Sequence, residues 1–339
     1  MKKVFLFAAL LTASVCATAQ QNQVVWQNGK VMFANPIITL DSITFSETAE
    51  EMDTLYMLLP RTVIKEVVTI KEVHDTIYKC PEEPIIPEEP LAGVFSVSAT
   101  QQVMFSKGNL QYDYNTDTWA FAEHQYDMIG SENVKGSSIA AKIDLFGWSG
   151  SEGDVKWGVS SSTDYNDYAG DFVDWGQNMD NGTTWRTMTY SEWMYVIKYR
   201  VNAANLMGIA RINLNDDGSE YANGLILLPD RWTCPDDVTF IAGLGKSISW
   251  KDDREQAYAD YQTITLSDWQ ELESTGAVFL PASGQRNGAT VSYVQQYSYY
   301  RCASAGYYIH LTADKCDYVS DRTGTDCVNG YAVRLVQNL

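Results

Sequence analysis

The sequence predicts an α+β protein, and three observations carry that expectation. Short runs with period-2 alternation recur through most of the chain, only two segments carry the grammar of a helix N-terminus, and a long Asp- and Gly-rich stretch shows neither period. Of the 339 residues, 45% are hydrophobic, 20% charged and 12% aromatic, the profile of a packed globular chain with room for roughly two domains. Lys and Arg number 24 against 43 Asp and Glu, a formal net charge of −19. Such a field repels phosphate backbones, so no nucleic-acid partner is expected.

Residues 1–19 read as a secretory signal. Lys2 and Lys3 form the charged start, Val4 to Val15 is an apolar stretch too short to span a bilayer, and Ala17-Thr18-Ala19 supplies a small-x-small cleavage pattern. Lipidation at Cys16 is the rival reading, opposed by Val15 where a small residue is expected. No later run of 18 apolar residues occurs, so the chain is not expected to span a membrane and is placed outside the inner membrane, as a periplasmic, outer-surface or extracellular protein.

Residues 20–80 open with Val24-Val25-Trp26 and Val31-Met32-Phe33 around Asn28-Gly29, a hairpin signal, and Ser42 to Phe45 is a third candidate strand. From Leu55 to Tyr78, β-branched residues favour an extended stalk, while Val63, Val67, Ile70 and Ile77 also fit a helical stripe. Residues 81–90 form a Pro/Glu linker, extended because donors are missing and like charges repel.

Residues 91–339 are expected to form the one large domain. Strand-like runs follow at Val94 to Val97, Gln102 to Phe105, Leu110 to Tyr112 and Trp119 to Phe121, with Ser106 to Asn109 as a turn. Gly130 to Gly182 should be irregular, with Trp148, Trp157, Tyr165 and Trp175 anchoring loops to a core. Thr189 with Glu192, and Thr265 with Asp268, mark the two helix starts. Trp193, Val196 and Ile197 carry the apolar stripe of the first, and Trp269 and Leu272 that of the second, which Gly276 closes. Each helix precedes an apolar run ending in Leu-Pro, Leu225 to Pro229 and Ala277 to Pro281.

Chemistry-bearing motifs are sparse. Without Cys16, five cysteines remain (80, 234, 302, 316 and 327), an odd count with no regular spacing; a pair between Cys316 and Cys327 across a loop stays open. His74, His124 and His310 are scattered, so no zinc site is expected. Nucleophile elbow, His-Glu-x-x-His and phosphate loop are all absent. Asn213 to Gly218 reads as a β-turn in preference to a calcium loop, since the distal bidentate Glu is missing. No metal and no cofactor are expected, and the chain is read as non-enzymatic.

Trp185-Arg186-Thr187-Met188-Thr189 running into Glu192-Trp193, then Leu227 to Trp232, then Gly276 to Gly288, and finally Gly330 to Val336 resemble the Fibrobacter succinogenes major paralogous domain. That group is similar in turn to the formylglycine-generating-enzyme group of the C-type-lectin fold. The resemblance spans roughly Phe95 to Val336. It implies a C-type-lectin-like domain with two helices flanking small twisted antiparallel sheets and with both domain ends close together. Formylglycine-generating enzymes use a cysteine-based copper site near the C-terminus, which directs attention to Cys302. A catalytic pair would need a second thiol, however, and none follows within thirteen residues. In some similar domains the C-terminal segment is rewritten by diversity-generating retroelements, which scatter Asn codons to Tyr, Ser, Asp, His, Thr and Cys; Arg301-Cys302 departs from that pattern.

Residues 285–339 differ from the rest. Five Lys and Arg against four Asp give them +1, while the remainder, without the leader lysines, carries about −22. Eight of the 21 tyrosines fall here. Ile309, Leu311 and Ala313 alternate with Tyr308, His310, Thr312 and Asp314, so one strand face should meet the core and the other a partner. Rigid amphipathic rings beside small polar groups suit a recognition surface. The expected ligand-binding residues are Tyr293, Tyr297, Tyr299, Arg301, Tyr307, Tyr308, His310, Thr312, Asp314, Asp317, Tyr318, Asp321 and Arg322, facing an extracellular protein or glycan. Tyr299, Tyr307 and Tyr308 are expected to be replaceable together by Ala without loss of the fold.

Overall fold

The computed structural model describes residues 22–27, 30–36, 89–136, 141–180, 184–247, 249, 251–320 and 325–339. The leader, the strand expected at Ser42 to Phe45, the 55–78 stalk, linker residues 81–88, and Asp321 and Arg322 lie outside these. Contacts divide the chain into a unit ending at Ile85 and one beginning at Ile86, a break inside the proline-rich stretch. In the first unit, strands Asn22–Gln27 and Lys30–Pro36 pair antiparallel with Gln27 opposite Lys30. This is the hairpin that Asn28-Gly29 predicts.

The second unit is α+β. Its terminal sheet orders strands Phe95–Ser96, Gln102–Phe105, Leu335–Asn338 and Trp185–Thr187, with the last strand of the chain in an interior position. Val336 lies opposite Phe105 on one side and Arg186 on the other, and Leu339 N donates to the Gln102 carbonyl, so the ends of the domain meet. Leu110–Asp113, Thr118–Phe121 and Lys142–Ile143 make a small three-stranded sheet. Among the described residues between Gly130 and Asp180 the backbone is largely irregular, as expected, broken by two-residue strands and single helical turns.

The central sheet runs Thr263–Thr265, Met207–Asn213, Tyr221–Leu227 and Val278–Pro281, with Leu225 opposite Leu280. Both of its faces are covered. Ile209, Leu225, Leu227 and Leu280 join the main core, while Ala210, Ile212, Ile226 and Phe279 pack with Trp269 and Leu272 from helix Leu266–Ser274. Two-sided burial explains why the first half of Met207–Asn213 shows no alternation: Met207 to Ala210 are all buried, and only Arg211 and Asn213 introduce polar positions.

Both expected helices form with full capping boxes. Thr189 Oγ1 accepts from Glu192 N, and Thr265 Oγ1 from Asp268 N, with each acid returning the contact to its cap. Gly276 follows the second helix at φ +89, where its missing Cβ also lets it lie against Gly93. The first helix, Tyr190–Met194, continues as a π-helical turn over Tyr195–Tyr199 that buries Val196 and Ile197. The expectation of two helices is too few, since Gln177–Asp180 and Gln256–Tyr261 are also α-helical.

Candidate functional site

The C-terminal segment builds a five-stranded sheet in the order Lys315–Ser320, Tyr307–Thr312, Tyr297–Arg301, Tyr331–Ala332 and Leu145–Phe146. Tyr299 pairs with His310 and Arg301 with Tyr308; His310 in turn lies opposite Asp317. Register therefore assigns Tyr297, Tyr299, Arg301, Tyr308, His310, Thr312 and Asp317 to one face. On the other face Tyr300, Ile309 and Leu311 enter the main core, as the alternation predicts, and Ala313 joins them just beyond the strand.

The first face carries a continuous aromatic array. His310 stacks on Tyr299 with centroids 4.7 Å apart and planes 9° from parallel, Tyr299 stacks on Tyr331 at 5.0 Å, and Tyr331 meets Tyr308 at 4.8 Å. At its open end Tyr297 contacts Tyr293 at 5.0 Å and carries the Arg254 guanidinium at 4.9 Å. Burial pushes the His310 imidazole down to about 4, with Lys315 adding to the effect, so the ring is neutral at physiological pH.

Tyr293 is 45% exposed on a backbone of φ +64, and Gln295 follows at φ +66. Neither is glycine, so both conformations are held by their surroundings. Gln295 provides that hold: its Oε1 accepts from Asn223 N, its Nε2 donates to the Tyr221 carbonyl, and its own carbonyl accepts from Asn223 Nδ2. Tyr293 is thus presented on a fixed loop.

Not every expected residue joins this face. Tyr307 and Tyr318 project to the opposite side, where both pack on Tyr190 at the start of the first helix, at 4.6 and 4.8 Å. Arg301, Tyr308 and Thr312 are buried rather than displayed. The Arg301 guanidinium donates to the carbonyls of Phe146 and Asn329 and lies 4.4 Å over the Tyr331 ring. Thr312 donates to Asp314, and Asp317 accepts from Tyr318 N. Joint replacement of Tyr299, Tyr307 and Tyr308 would therefore remove packing on both faces, contrary to the expectation that the fold would tolerate it.

The cysteines also differ from expectation. Cys316 and Cys327 form no disulfide with each other, and Cys316 lies within a strand rather than a loop. Cys302 is wholly buried in the main core, where burial pushes its thiol well above the usual range, the reverse of what a thiolate nucleophile or copper ligand needs. Among the described residues no group of three His, Cys, Asp or Glu side chains is placed to hold a metal, and no helix is long and apolar enough to cross a membrane.

Sequence reasoning missed Arg254, Tyr331 and Tyr190, and it assigned Trp148 and Tyr165 to loop anchoring. Trp148 and Trp175 are indeed buried, but Tyr165 is 55% exposed. Together with Tyr168, Arg301, Tyr308 and the turn at Gly306, Trp148 and Tyr165 border a recess of about 140 Å³. No protein-family model, curated protein or solved structure matches this chain.

Proposed function

We propose that this is an exported, surface-displayed, non-enzymatic binding protein that recognises an extracellular protein or glycan through the Tyr-rich face of its C-terminal segment. The observation that carries the reading is the aromatic array from Tyr293 to Tyr331, whose open end is exposed, cation-flanked and rigidly held. Rings of this kind supply large contact area at small entropic cost. Support for export comes from the leader-like first nineteen residues, and support for a C-type-lectin-like display frame from the ordered motifs between Trp185 and Val336. Under the same reading the variety of Tyr, Ser, Asp, His and Thr in the segment reflects diversification of the face that meets the ligand.

A glycan and protein array probed with the full chain tests this. Capture of a ligand class is expected, and Tyr293→Ala with Tyr297→Ala should weaken it by about tenfold or more while leaving the thermal transition within a few degrees. Capture that survives both substitutions would move the site elsewhere. An array on which nothing is retained would favour a structural surface protein without a dedicated site.

A further inference from the structure

We propose that Arg334 and Asn109 hold an internal water molecule, which joins the C-terminal end of the chain to the centre of the domain. Arg334 is 1% exposed and Asn109 is wholly buried, yet the Nε and Nη1 groups of Arg334 and the Oδ1 atom of Asn109 have no hydrogen-bond partner within the protein. Buried polar groups in folded proteins are nearly always bonded, either to protein or to ordered water.

Backbone bonds set the two residues side by side. Leu110 N donates to the Val333 carbonyl and Ser106 N to the Leu335 carbonyl, both at 2.9 Å, so Asn109 and Arg334 lie between the same pair of bonds. Both side chains turn toward Tyr300. Asn109 Nδ2 donates to the Tyr300 hydroxyl at 3.3 Å, and the Arg334 charge draws back the phenol pKa that burial raises. The hydroxyl itself donates to the Pro281 carbonyl at 3.2 Å, so from Asn109 it can only accept. That fixes the amide, with Nδ2 toward the phenol and Oδ1 away from it. On the other side of Arg334, its Nη2 donates to Gln125 Oε1, which also accepts from Phe279 N. Gln125 Nε2 donates to Glu273 Oε1 and to the Ala277 carbonyl. Gln125 is thereby saturated, and Glu273 is engaged by Gln125 rather than by Arg334.

The unmet capacity is of two kinds, N–H donors on a guanidinium and one carbonyl acceptor. Burial pushes the Arg334 pKa down only to about 10, so those donors carry charge at neutral pH. A halide would accept from the guanidinium but meet the Asn109 Oδ1 dipole with a like charge, and a metal cation would be repelled by Arg334. Water does both tasks. It accepts from Nε and Nη1 and gives a proton to Oδ1, the complement of about three bonds usual for an internal water. A continuous series of bonds then runs from Glu273 through Gln125, Arg334, the water, Asn109 and Tyr300 to Pro281, at the end of strand Val278–Pro281.

A crystal structure of the full chain at about 1.5 Å or better tests this. A density peak within about 3.2 Å of Asn109 Oδ1 and of Arg334 Nε or Nη1 is expected, with no anomalous signal at that position after a bromide soak. Bromide at the peak, a direct bond between Arg334 and Asn109, or a guanidinium with no peak beside it would each overturn the proposal. In solution, the Arg334 Nε–H resonance should show a cross-peak to water in rotating-frame Overhauser spectra, where the sign separates proximity from proton exchange. Asn109→Leu, which removes the acceptor and fills its place with methyl groups, should abolish that cross-peak; a cross-peak of undiminished intensity in this variant would contradict the bridge. Should the variant lose its cooperative thermal transition, the wild-type density and the wild-type cross-peak decide.

Discussion

Asp144 is the residue whose environment makes the clearest pH statement. Its carboxylate is fully buried, accepting from Ile129 N and Asn133 Nδ2, yet desolvation outweighs these bonds and raises its pKa from 3.8 to about 6. A folded value above the unfolded one means the native state binds the proton more tightly. The resulting stabilisation is complete below the unfolded value and is lost as pH rises through about 6, a change of about 2 to 3 kcal/mol. Chemical denaturation of the wild type and of Asp144→Asn at pH 4 and pH 8 should show this increment in the wild type alone. His310 gives a second expectation. Because its imidazole is already neutral well above about 4, ligand capture should be flat from pH 5.5 to 8 as far as this residue is concerned; a midpoint near 6.5 assigned to His310 by NMR would contradict the burial. Neither behaviour was legible in the chain. A lone Asp between Ile143 and Leu145 and a lone His between Ile309 and Leu311 have the same sequence context whether the polar side chain faces water or protein.

Helix starts and hairpins were readable because their signals are local. Thr-x-x-Glu and Thr-x-x-Asp satisfy orphan N–H groups within four residues, so nothing distant need be known. Replacing Thr265 by Ala removes the acceptor for Asp268 N and should cost about 1 kcal/mol, measured as a lowered denaturation midpoint with an unchanged slope. Sheet faces were only half readable. Alternation correctly sent Ile309, Leu311 and Ala313 to the core, but adjacent tyrosines such as Tyr307 and Tyr308 necessarily point to opposite faces. A segment rich in one side chain therefore does not become one surface. Tyr190, from a helix more than a hundred residues upstream, takes Tyr307 and Tyr318 for itself. Arg254 and Trp148 reached the candidate surfaces by the same kind of long-range approach, which no window along the chain can contain.

At the scale of the whole molecule, the outline of the domain was legible and its closure only through a resemblance. Composition announced a packed chain, and the runs after Leu91 announced small sheets. That strand Leu335–Asn338 slots between Gln102–Phe105 and Trp185–Thr187 is a property of the assembled fold. Deleting residues 335–339 would open two strand edges and uncover the seats of Leu335 and Val336, both wholly buried. Loss of the cooperative thermal transition is expected, seen as a featureless melt in near-ultraviolet circular dichroism. Removing residues 1–85 instead cuts at the boundary between the two compact units and should leave that transition in place.

The interior position of the final strand also governs timing. A ribosome presents the chain in order, so Gln102–Phe105 and Trp185–Thr187 are both made well before the strand that lies between them, and the terminal sheet cannot close until Leu335–Asn338 has emerged.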